Sequence, residues 1–312
     1  MTLVKKKVLI LGSTGMLSSM MIDYLHSLNK FEIACTYNNN LISNFYNYGF
    51  KEFHFSAYDN VESQLSEIYK TFKPDYIINC IGIVNTYCKD NDPTGIENAV
   101  RVNSMFPYTL SKATANILPN TKIIQIATDC VYDGEKGAYT ESDKFTPNDV
   151  YGRTKSLGEV VSNNFLNIRT SIIGPEINGF ASLLEWFLRT KENIVNGFTH
   201  HNWNGVTTLQ FAQFCSEIMI KENFNEYRLT SPTLHFVINS DVTKYELVKI
   251  FKQVFKTKHE IHKVNSPLPA VNRTLRSELY NFAIDDMEIA VQELYNYMLD
   301  SKLFNKSIKR YD

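Results

Sequence analysis

The sequence has little of what marks secreted, membrane-spanning or nucleic-acid-binding proteins. Its five cysteines are an odd number without a CxxC pair, which predicts a reducing compartment and neither a disulfide framework nor a zinc site. The first apolar run, residues 8–11, ends at Gly12 and is too short for a signal peptide or a membrane span. The formal net charge of −1 provides no basic field for nucleic acid. We therefore expect a soluble cytoplasmic protein without a metal site that binds neither nucleic acid nor membranes.

Short apolar segments alternate with longer amphipathic ones through the first half of the chain. The short segments predict strands at 8–11, 32–37, 52–55, 76–80, 122–127 and 166–170. The longer ones predict helices near 15–28, 61–72, 95–115 and 147–164. Strands that are apolar throughout and separated by helices are typical of a parallel sheet covered on both faces. The predicted fold class is therefore α/β, a Rossmann-type doubly wound parallel sheet with a smaller C-terminal substrate lobe.

The alternation ends after about residue 171. Helical patterns at 181–190, 209–221, 243–255 and 284–300 mix with a short strand at 234–238 and with turn-rich stretches at 197–205 and 265–272. We predict a dinucleotide-binding domain over residues 1–170. Residues 171–312 then form mainly a substrate-binding lobe, partly interleaved with the first domain. It closes over the carboxyl ends of the strands, where ligands bind in open α/β sheets.

A strand, a glycine-bearing turn and a helix start follow one another at residues 8–18. Gly12 permits a tight turn, and Gly15 lets the backbone approach a pyrophosphate at the helix N-terminus. Ser18 replaces the third glycine of the usual pattern and is small enough for close packing of helix on strand. An ordinary turn that needs glycine for its backbone conformation is the alternative interpretation. The position of this turn at the start of the alternating strands and helices favours dinucleotide binding.

The end of the second strand bears on the choice of cofactor. An acidic residue there would bind the ribose 2′-hydroxyl and favour NAD, but residues 35–38 read Cys-Thr-Tyr-Asn. The missing acid favours NADP(H). Since no arginine stands in its place, NAD(H) remains the alternative. Asp59, after the third strand, is a candidate for the adenine edge, and an exposed loop acid explains it equally well.

Three residues form a candidate proton-transfer site. Thr128 closes the fifth strand, and Tyr151 and Lys155 are four residues apart, on one face of the next helix. A neighbouring cation favours the phenolate, so we expect Lys155 to lower the pKa of Tyr151 from about 10. Thr128 can hold a carbonyl oxygen while the hydride comes from a nicotinamide. A Tyr-Lys spacing of four is common by chance, but together with Thr128 and the glycine turn it predicts an NAD(P)-dependent oxidoreductase.

These motifs resemble the extended short-chain dehydrogenase/reductases, and within them the dTDP-4-dehydrorhamnose reductase-like group. The likeness rests on residues 128–134 (Thr-Asp-Cys-Val-Tyr-Asp-Gly), 139–141 (Tyr-Thr-Glu) and 151–155 (Tyr-Gly-Arg-Thr-Lys). It implies reduction of the 4-keto group of a UDP- or dTDP-linked 4-keto-6-deoxyhexose, in deoxysugar biosynthesis. Thr128, Tyr151 and Lys155 match the catalytic positions of the group. A homodimer is a further family expectation.

The motifs and the resemblance together give a set of expected contacts. The cofactor contacts are Gly12, Ser13, Thr14, Gly15, Met16, Leu17, Tyr37, Asn38, Asp59, Cys80, Ile81, Gly82, Ala127, Tyr151, Lys155, Thr170, Ser171 and Ile172. The nucleotide-sugar contacts are Val84, Thr128, Asp129, Cys130, His201, Trp203 and Arg273. Arg273 could bind the substrate diphosphate bidentately or form a surface salt bridge. Arg169 is expected to line the nicotinamide pocket, and Asn103 to fix the strand near Thr128.

Two alternatives to plain reduction remain open. Cys130 stands where the rhamnose-type reductases commonly carry an aromatic residue, and in this it resembles GDP-fucose synthase, a related epimerase/reductase. A bifunctional 3(,5)-epimerase/4-reductase could use the Cys130 thiol as acid/base if its pKa is lowered, with His200 or His201 as partner acid. A small buried side chain is the other interpretation of Cys130. A non-catalytic nucleotide-binding regulatory subunit is the second alternative, since the regulatory subunit of methionine adenosyltransferase resembles the same group.

Overall fold

Seven parallel strands form the central sheet of the computed structural model, which describes residues 5–39, 48–265 and 269–308. The strands are β1 (Lys6–Leu11), β2 (Phe31–Tyr37), β3 (Lys51–His54), β4 (Tyr76–Asn79), β5 (Lys122–Ile126), β6 (Phe165–Arg169) and β11 (Thr233–His235). Their order is β3-β2-β1-β4-β5-β6-β11, with every neighbouring pair parallel. The order reverses between β1 and β4, which places a ligand crevice at their carboxyl ends. The doubly wound α/β fold is confirmed.

Helices cover both faces of this sheet. They are α1 (Met16–Ser27), α2 (Val61–Thr71), α3 (Pro93–Ala99), α4 (Phe106–Ile117) and α5 (Val150–Leu157). Alternate residues of β1 enter two separate cores: Val8 packs in one together with Met20 of α1, and Leu9 in the other with Leu65 of α2. This double burial explains why the strand is apolar throughout. Within the described ranges, no helix is long and apolar enough to cross a membrane.

Two predicted helices differ from the observed ones. The segment 147–164 is helical only over α5, which begins where the Asp149 carboxylate accepts the Gly152 N–H at 2.8 Å. It ends at Gly158, where a Cβ would lie 1.8 Å from the Asn103 carbonyl oxygen. The segment 95–115 is α3, a π-helical turn over Val100–Met105, and α4. The wider turn carries Asn103, which is bonded to the backbone of a neighbouring loop.

Small sheets and further helices make up the rest of the chain. The helices are α6 (Leu183–Arg189), α7 (Thr208–Lys221), α8 (Phe224–Thr230), α9 (Lys244–Phe255), α10 (Met287–Asp300) and α11 (Asn305–Ile308). The strands are β7 (Ile172–Ile173), β8 (Ile194–Phe198), β9 (His201–Trp203), β10 (Val206–Thr207), β12 (Val242–Thr243), β13 (Glu260–Val264) and β14 (Val271–Asn272). They pair as β7–β10, β8–β13 and β12–β9–β14. The turn-rich stretch 197–205 contains β9, and residues 266–268 of the second stretch lie outside the described residues.

Candidate active site

The glycine turn between β1 and α1 is held from two sides. Gly12 has a φ of 82°, and its N–H donates to the Thr36 hydroxyl at 3.0 Å. The Ser18 hydroxyl donates to the Gly12 carbonyl oxygen at 2.6 Å. Ser18 therefore fastens the turn as well as fitting under it. Among the described residues, no side chain caps α1, whose first turn carries no acid, so its N–H groups can receive an anion.

A cavity of about 250 Å³ opens beside this turn, at the carboxyl ends of β1, β2 and β4. Eight predicted cofactor contacts line it, namely Gly12, Thr14, Gly15, Tyr37, Asn38, Cys80, Ile81 and Gly82. Six other lining residues were missed from the sequence, namely Thr36, Phe55, Ala57, Tyr58, Ile83 and Val102. A Cβ on Gly15 would meet only Ser18 and the Gly12 carbonyl among the described atoms. The turn is thus an open cradle, and the residues present fit a dinucleotide.

Some predicted cofactor contacts lie elsewhere. Asp59 does not line the cavity. Its carboxylate is exposed and lies 3.7 Å from the Arg101 guanidinium, which fits the alternative interpretation of an exposed loop acid. Ser13 and Leu17 are buried within the turn and the start of α1, next to the half-buried Met16. Further contacts follow the carboxyl ends of β5 and β6, where Ala127 and Thr170 are buried and Ser171 and Ile172 are half-buried.

Arg169 does not line a nicotinamide pocket, contrary to expectation. Its side chain is 5% exposed and binds Glu159 through two bonds of 2.7 Å. A third bond of 2.7 Å joins it to the Tyr132 hydroxyl, and His235 lies 3.2 Å from the same guanidinium nitrogen. Burial of a guanidinium requires such a paired carboxylate. Arg169 therefore ties β6, β11 and the loop after β5 together beneath the site.

Thr128, Tyr151 and Lys155 come together at the carboxyl end of β5. Thr128 lies two residues beyond the strand, where its hydroxyl oxygen accepts the Cys130 N–H at 3.2 Å and caps a short 3₁₀ turn. Gly152 brings α5 against that turn, since a Cβ there would lie 2.1 Å from the Cys130 carbonyl oxygen. The Thr128 hydroxyl donates to the Asp129 Oδ1 at 3.2 Å, and Thr128 is among the groups near enough to Tyr151 to influence the pKa of its phenol. The packing of α5 thus assembles the three predicted residues.

The Lys155 ammonium connects these residues to the cavity. Its Nζ donates to the Ile126 carbonyl oxygen at 3.0 Å, and a Cβ on Gly82 would lie 3.9 Å from it. Burial lowers the pKa of Lys155 to about 8, while the charges of Glu159 and Cys80 oppose the shift. At neutral pH Lys155 is therefore a buried cation next to Gly82, which lines the cavity.

The environment of Tyr151 corrects one expectation. Burial raises the pKa of the phenol far above its usual range, the charges of Cys130 and Asp129 add to the rise, and the Thr128 hydroxyl opposes it. The expected lowering by Lys155 is wrong, because desolvation of the phenolate outweighs any attraction to the cation. Tyr151 is consequently a neutral phenol at physiological pH, which suits a proton donor.

Cys130 is a protonated thiol in this setting. Burial and the neighbouring Asp129 carboxylate raise its pKa to about 12. The Sγ lies 3.7 Å from the Asp129 Oδ1. Burial also raises the pKa of Asp129, and the Arg273 charge opposes that rise. This raised pKa is opposite in direction to the lowered one that an epimerisation base would need.

Three of the predicted substrate residues lie on or directly after strands of the small sheet β12–β9–β14. His201 and Trp203 are the end residues of β9, and Arg273 follows β14. The Arg273 Nε donates to the Tyr132 carbonyl oxygen at 3.0 Å, which ties the guanidinium to the loop that carries Cys130. Arg273 can therefore either contact a diphosphate or hold the loop in place. Val84 is 45% exposed at the start of the loop after Ile83.

Asn103 does not contact the strand near Thr128, as predicted, but the loop at Ile83. Its Oδ1 accepts the Ile83 N–H at 2.8 Å, and its Nδ2 donates to the Ile83 carbonyl oxygen at 2.9 Å. A third bond of 3.2 Å reaches Thr154 on α5. Asn103 therefore braces the cavity loop against α5 rather than the strand near Thr128. No local spacing signals this, because the partners are 20 and 51 residues away in sequence.

One family model matches nearly the whole chain, and two kinds of relative match most or part of it. A family model described as RmlD substrate binding domain matches residues 6–301. Methionine adenosyltransferase 2 subunit beta of Rattus norvegicus is 23% identical over 291 residues, which cover 88% of this chain and 80% of that protein. A dTDP-4-dehydrorhamnose reductase of Aggregatibacter actinomycetemcomitans is 34% identical over 109 residues, which cover 33% of this chain and 35% of that protein.

Solved structures share the fold over nearly the whole chain. The dTDP-4-dehydrorhamnose reductase of Bacillus anthracis in complex with NADP gives a TM-score of 0.70 at 17% identity, covering 94% of this chain and 98% of that one. The enzyme WbmG of Bordetella bronchiseptica in complex with NAD gives 0.72 at 14% identity, covering 97% and 98%. The likeness therefore extends through the small sheets as well as the central one.

Proposed function

The chain belongs to the RmlD substrate binding domain family, and we propose that it reduces the 4-keto group of a UDP- or dTDP-linked 4-keto-6-deoxyhexose with a nicotinamide cofactor. One observation carries the proposal: Thr128, Tyr151 and Lys155 meet beside a cavity lined by the glycine turn. The N-terminal end of α1 would receive the pyrophosphate, and Lys155 the nicotinamide ribose. NADP(H) is the favoured cofactor because no acid lies at Tyr37 and Asn38.

The proton chemistry follows from the state of each group. A bound reduced nicotinamide supplies hydride to the carbonyl carbon. The Thr128 hydroxyl orients the carbonyl oxygen, and the neutral Tyr151 phenol donates its proton to that oxygen as negative charge develops. The Lys155 cation then stabilises the phenolate left behind. A phenol whose pKa is raised by burial gives up its proton only to a strongly basic acceptor, and a developing alkoxide is one.

The decisive assay supplies a UDP- or dTDP-4-keto-6-deoxyhexose with NADPH and follows the loss of reduced-nicotinamide absorbance. Tyr151→Phe removes the donated proton and leaves the ring, so it should lower kcat about 10²- to 10⁴-fold while NADPH still binds. Tyr108→Phe, at an exposed position on α4, is the matched control and should behave as the wild type. Turnover of none of these sugars by a chain that binds NADPH would refute the proposal.

Cys130 separates plain reduction from combined epimerisation and reduction. Because the thiol is protonated, we propose reduction alone, in which Cys130→Ser keeps activity and the product takes up no deuterium at C3 or C5 from heavy water. Deuterium at either carbon in the wild-type product, absent with Cys130→Ser, would instead establish the bifunctional reaction.

A second candidate has support from the comparisons. The likeness to methionine adenosyltransferase 2 subunit beta covers more of this chain than the curated reductase match does. A non-catalytic nucleotide-binding subunit of another enzyme would need the dinucleotide cavity but no proton donor. Tyr151→Phe distinguishes the two, since such a subunit should keep its partner affinity unchanged. Cofactor preference is tested by comparing kcat/KM for NADPH and NADH.

A further inference from the structure

Three buried amide side chains interrupt the apolar pattern of the central sheet. Asn79 of β4, Gln125 of β5 and Asn167 of β6 are register partners, so they form one row across three neighbouring strands. We call these three side chains the amide row. Buried amides require hydrogen-bond partners, and a network that satisfies all of its members rigidifies the segments that it joins. No motif of the sequence includes these residues.

The amide row is one continuous series of hydrogen bonds with Gln125 at its centre. The Asn79 Nδ2 donates to the Gln125 Oε1 at 2.8 Å. The Gln125 Nε2 donates to the Gly158 carbonyl oxygen at 2.9 Å and to the Asn167 Oδ1 at 3.3 Å. Both amide hydrogens of Gln125 and its amide oxygen are therefore bonded, all within the protein interior.

One side of the amide row is bonded to the wall of the cofactor cavity. The Asn79 Oδ1 accepts the N–H of Ile81 at 3.1 Å. Cys80, Ile81 and Gly82 follow β4 directly and all line the cavity. Asn79 therefore fixes the backbone of the cavity wall at the point where it leaves the sheet.

The other side of the amide row holds α5 against β5. Gly158 ends α5 three residues after Lys155, so the bond from Gln125 fixes the helix about one turn from the ammonium. A Cβ on Gly158 would lie 1.8 Å from the Asn103 carbonyl oxygen, so this end of the helix is packed between Asn103 and Gln125. The Lys155 Nζ donates to the carbonyl oxygen of Ile126, the next residue on β5. Two adjacent residues of one strand thus hold the helix backbone and the ammonium.

We propose that Gln125 is a positioning residue, which sets the place of Lys155 relative to the cavity wall at Ile81 by joining α5 and that wall through its amide. The inference rests on the proposed function for the task of Lys155, which is to bind the nicotinamide ribose. Without the amide, the Gly158 carbonyl oxygen and the Asn79 Nδ2 lose a buried partner. They recover one by drawing in water or by a shift of α5 away from β5. Either change brings water nearer to Lys155 and moves it relative to a bound cofactor.

Gln125→Met tests this role, because methionine fills similar space and has no amide. The ionisation of Lys155 is followed by nitrogen NMR of the lysine side chains in the full chain, and its signal is identified by its absence from Lys155→Arg. Burial lowers the pKa of Lys155 to about 8 against the charges of Glu159 and Cys80, which remain in the variant. Hydration should raise this pKa by at least about one pH unit in Gln125→Met. NADPH affinity, measured by fluorescence titration, should fall about tenfold.

Thr121→Val is the matched control. Thr121 is buried directly before β5, at the opposite end of the strand, where its hydroxyl donates to the Pro74 carbonyl oxygen at 2.6 Å. Its loss should lower the unfolding temperature without changing the pKa of Lys155 or the affinity for NADPH. An unchanged Lys155 pKa in Gln125→Met would overturn the proposal, as would the same shift in Thr121→Val.

Asn79→Ser is a second and milder variant, which cuts the amide row between the cavity wall and Gln125. It should weaken NADPH binding about threefold and add nothing further in Gln125→Met, because both changes break the same series of bonds. If Gln125→Met does not fold, unchanged NADPH affinity in Asn79→Ser overturns the proposal by itself. The NMR measurement of Lys155 requires neither cofactor nor sugar. A chain that shows the shift but reduces no keto sugar loses the proposed reductase function and keeps the positioning role of Gln125.

Discussion

Raising the pH through about 8 should weaken productive use of NADPH by neutralising Lys155. Burial lowers the pKa of this amine from 10.5 to about 8, although Glu159 and Cys80 favour its charge. The Nζ would lie 3.9 Å from a Cβ on Gly82, a cavity-lining residue, and the proposed function assigns Lys155 to the ribose. Burial destabilises the cation and not the neutral amine, so the charge is present below the shifted pKa and lost above it.

The size of the effect follows from that pKa. With a pKa of about 8, about nine-tenths of the free chain carries the Lys155 charge at pH 7 and about one-tenth at pH 9. If only the charged form uses the cofactor, kcat/KM for NADPH falls about tenfold for each pH unit above 8. The pKa values of Cys80 and Cys130 are about 12 and that of Tyr151 is higher still, so none of these groups titrates in this window.

The assay measures kcat/KM for NADPH at saturating sugar, which reports ionisations of the enzyme form that binds NADPH. Lys155→Arg keeps its charge throughout, so it should be slower than the wild type but show no break near pH 8. Deprotonation of Lys155 cannot lower kcat/KM simply by destabilising the folded protein. Because burial penalises the charged amine, its contribution to stability improves as the pH rises from 8 towards the unfolded value of 10.5. A flat wild-type profile, or the same break in Lys155→Arg, would refute the reasoning.

Three further substitutions test the supporting structure. Gly12→Ala places a side chain at a φ of 82°, with its Cβ 2.8 Å from Ile81, which strains the turn by about 1–2 kcal/mol. NADPH binding, measured by fluorescence titration, should weaken roughly tenfold. Unchanged affinity would contradict this. Glu159→Gln leaves the Arg169 charge buried without its carboxylate, so the free energy of unfolding measured with denaturant should fall by about 3–5 kcal/mol. A fall below about 1 kcal/mol would show that the pair is not what stabilises this region. Asn103→Leu removes both hydrogen bonds to the Ile83 backbone and should raise KM for NADPH more than it lowers kcat. A loss of stability with unchanged KM would show that Asn103 supports only the structure and not cofactor binding.

The sheet was predictable because its strands are buried on both faces and therefore apolar throughout. Six strands of the first half follow from that pattern, and their parallel pairing follows from the helices between them. The place of β11 was not predictable. Thr233–His235 is a short strand of mixed polarity, and only its distant partner β6, beside the Arg169–Glu159 pair, gives it a place in the central sheet. A local pattern cannot encode a partner 66 residues away.

The site divides in the same way. Gly12, Thr128 and the Tyr151–Lys155 spacing are local signals, and the structure brings these residues to one edge of the sheet. The braces from Thr36 and Asn103 depend on packing between segments that are distant in the sequence. Spacing can place a cation on the same helix face as a phenol, but it cannot say how deeply both are buried.

That depth of burial bears on which reaction the site favours. One desolvated environment raises the pKa of both Tyr151 and Cys130 and lowers that of Lys155. At neutral pH, the phenol and the thiol hold their protons, and the Lys155 amine is charged. Reducing a ketone requires a proton donor next to its oxygen, the role that we propose for Tyr151. Epimerising the adjacent carbon requires a base first, and a thiol with a pKa of about 12 beside the Asp129 carboxylate is a poor one. Burial therefore supports the proposal of reduction without inversion at this site.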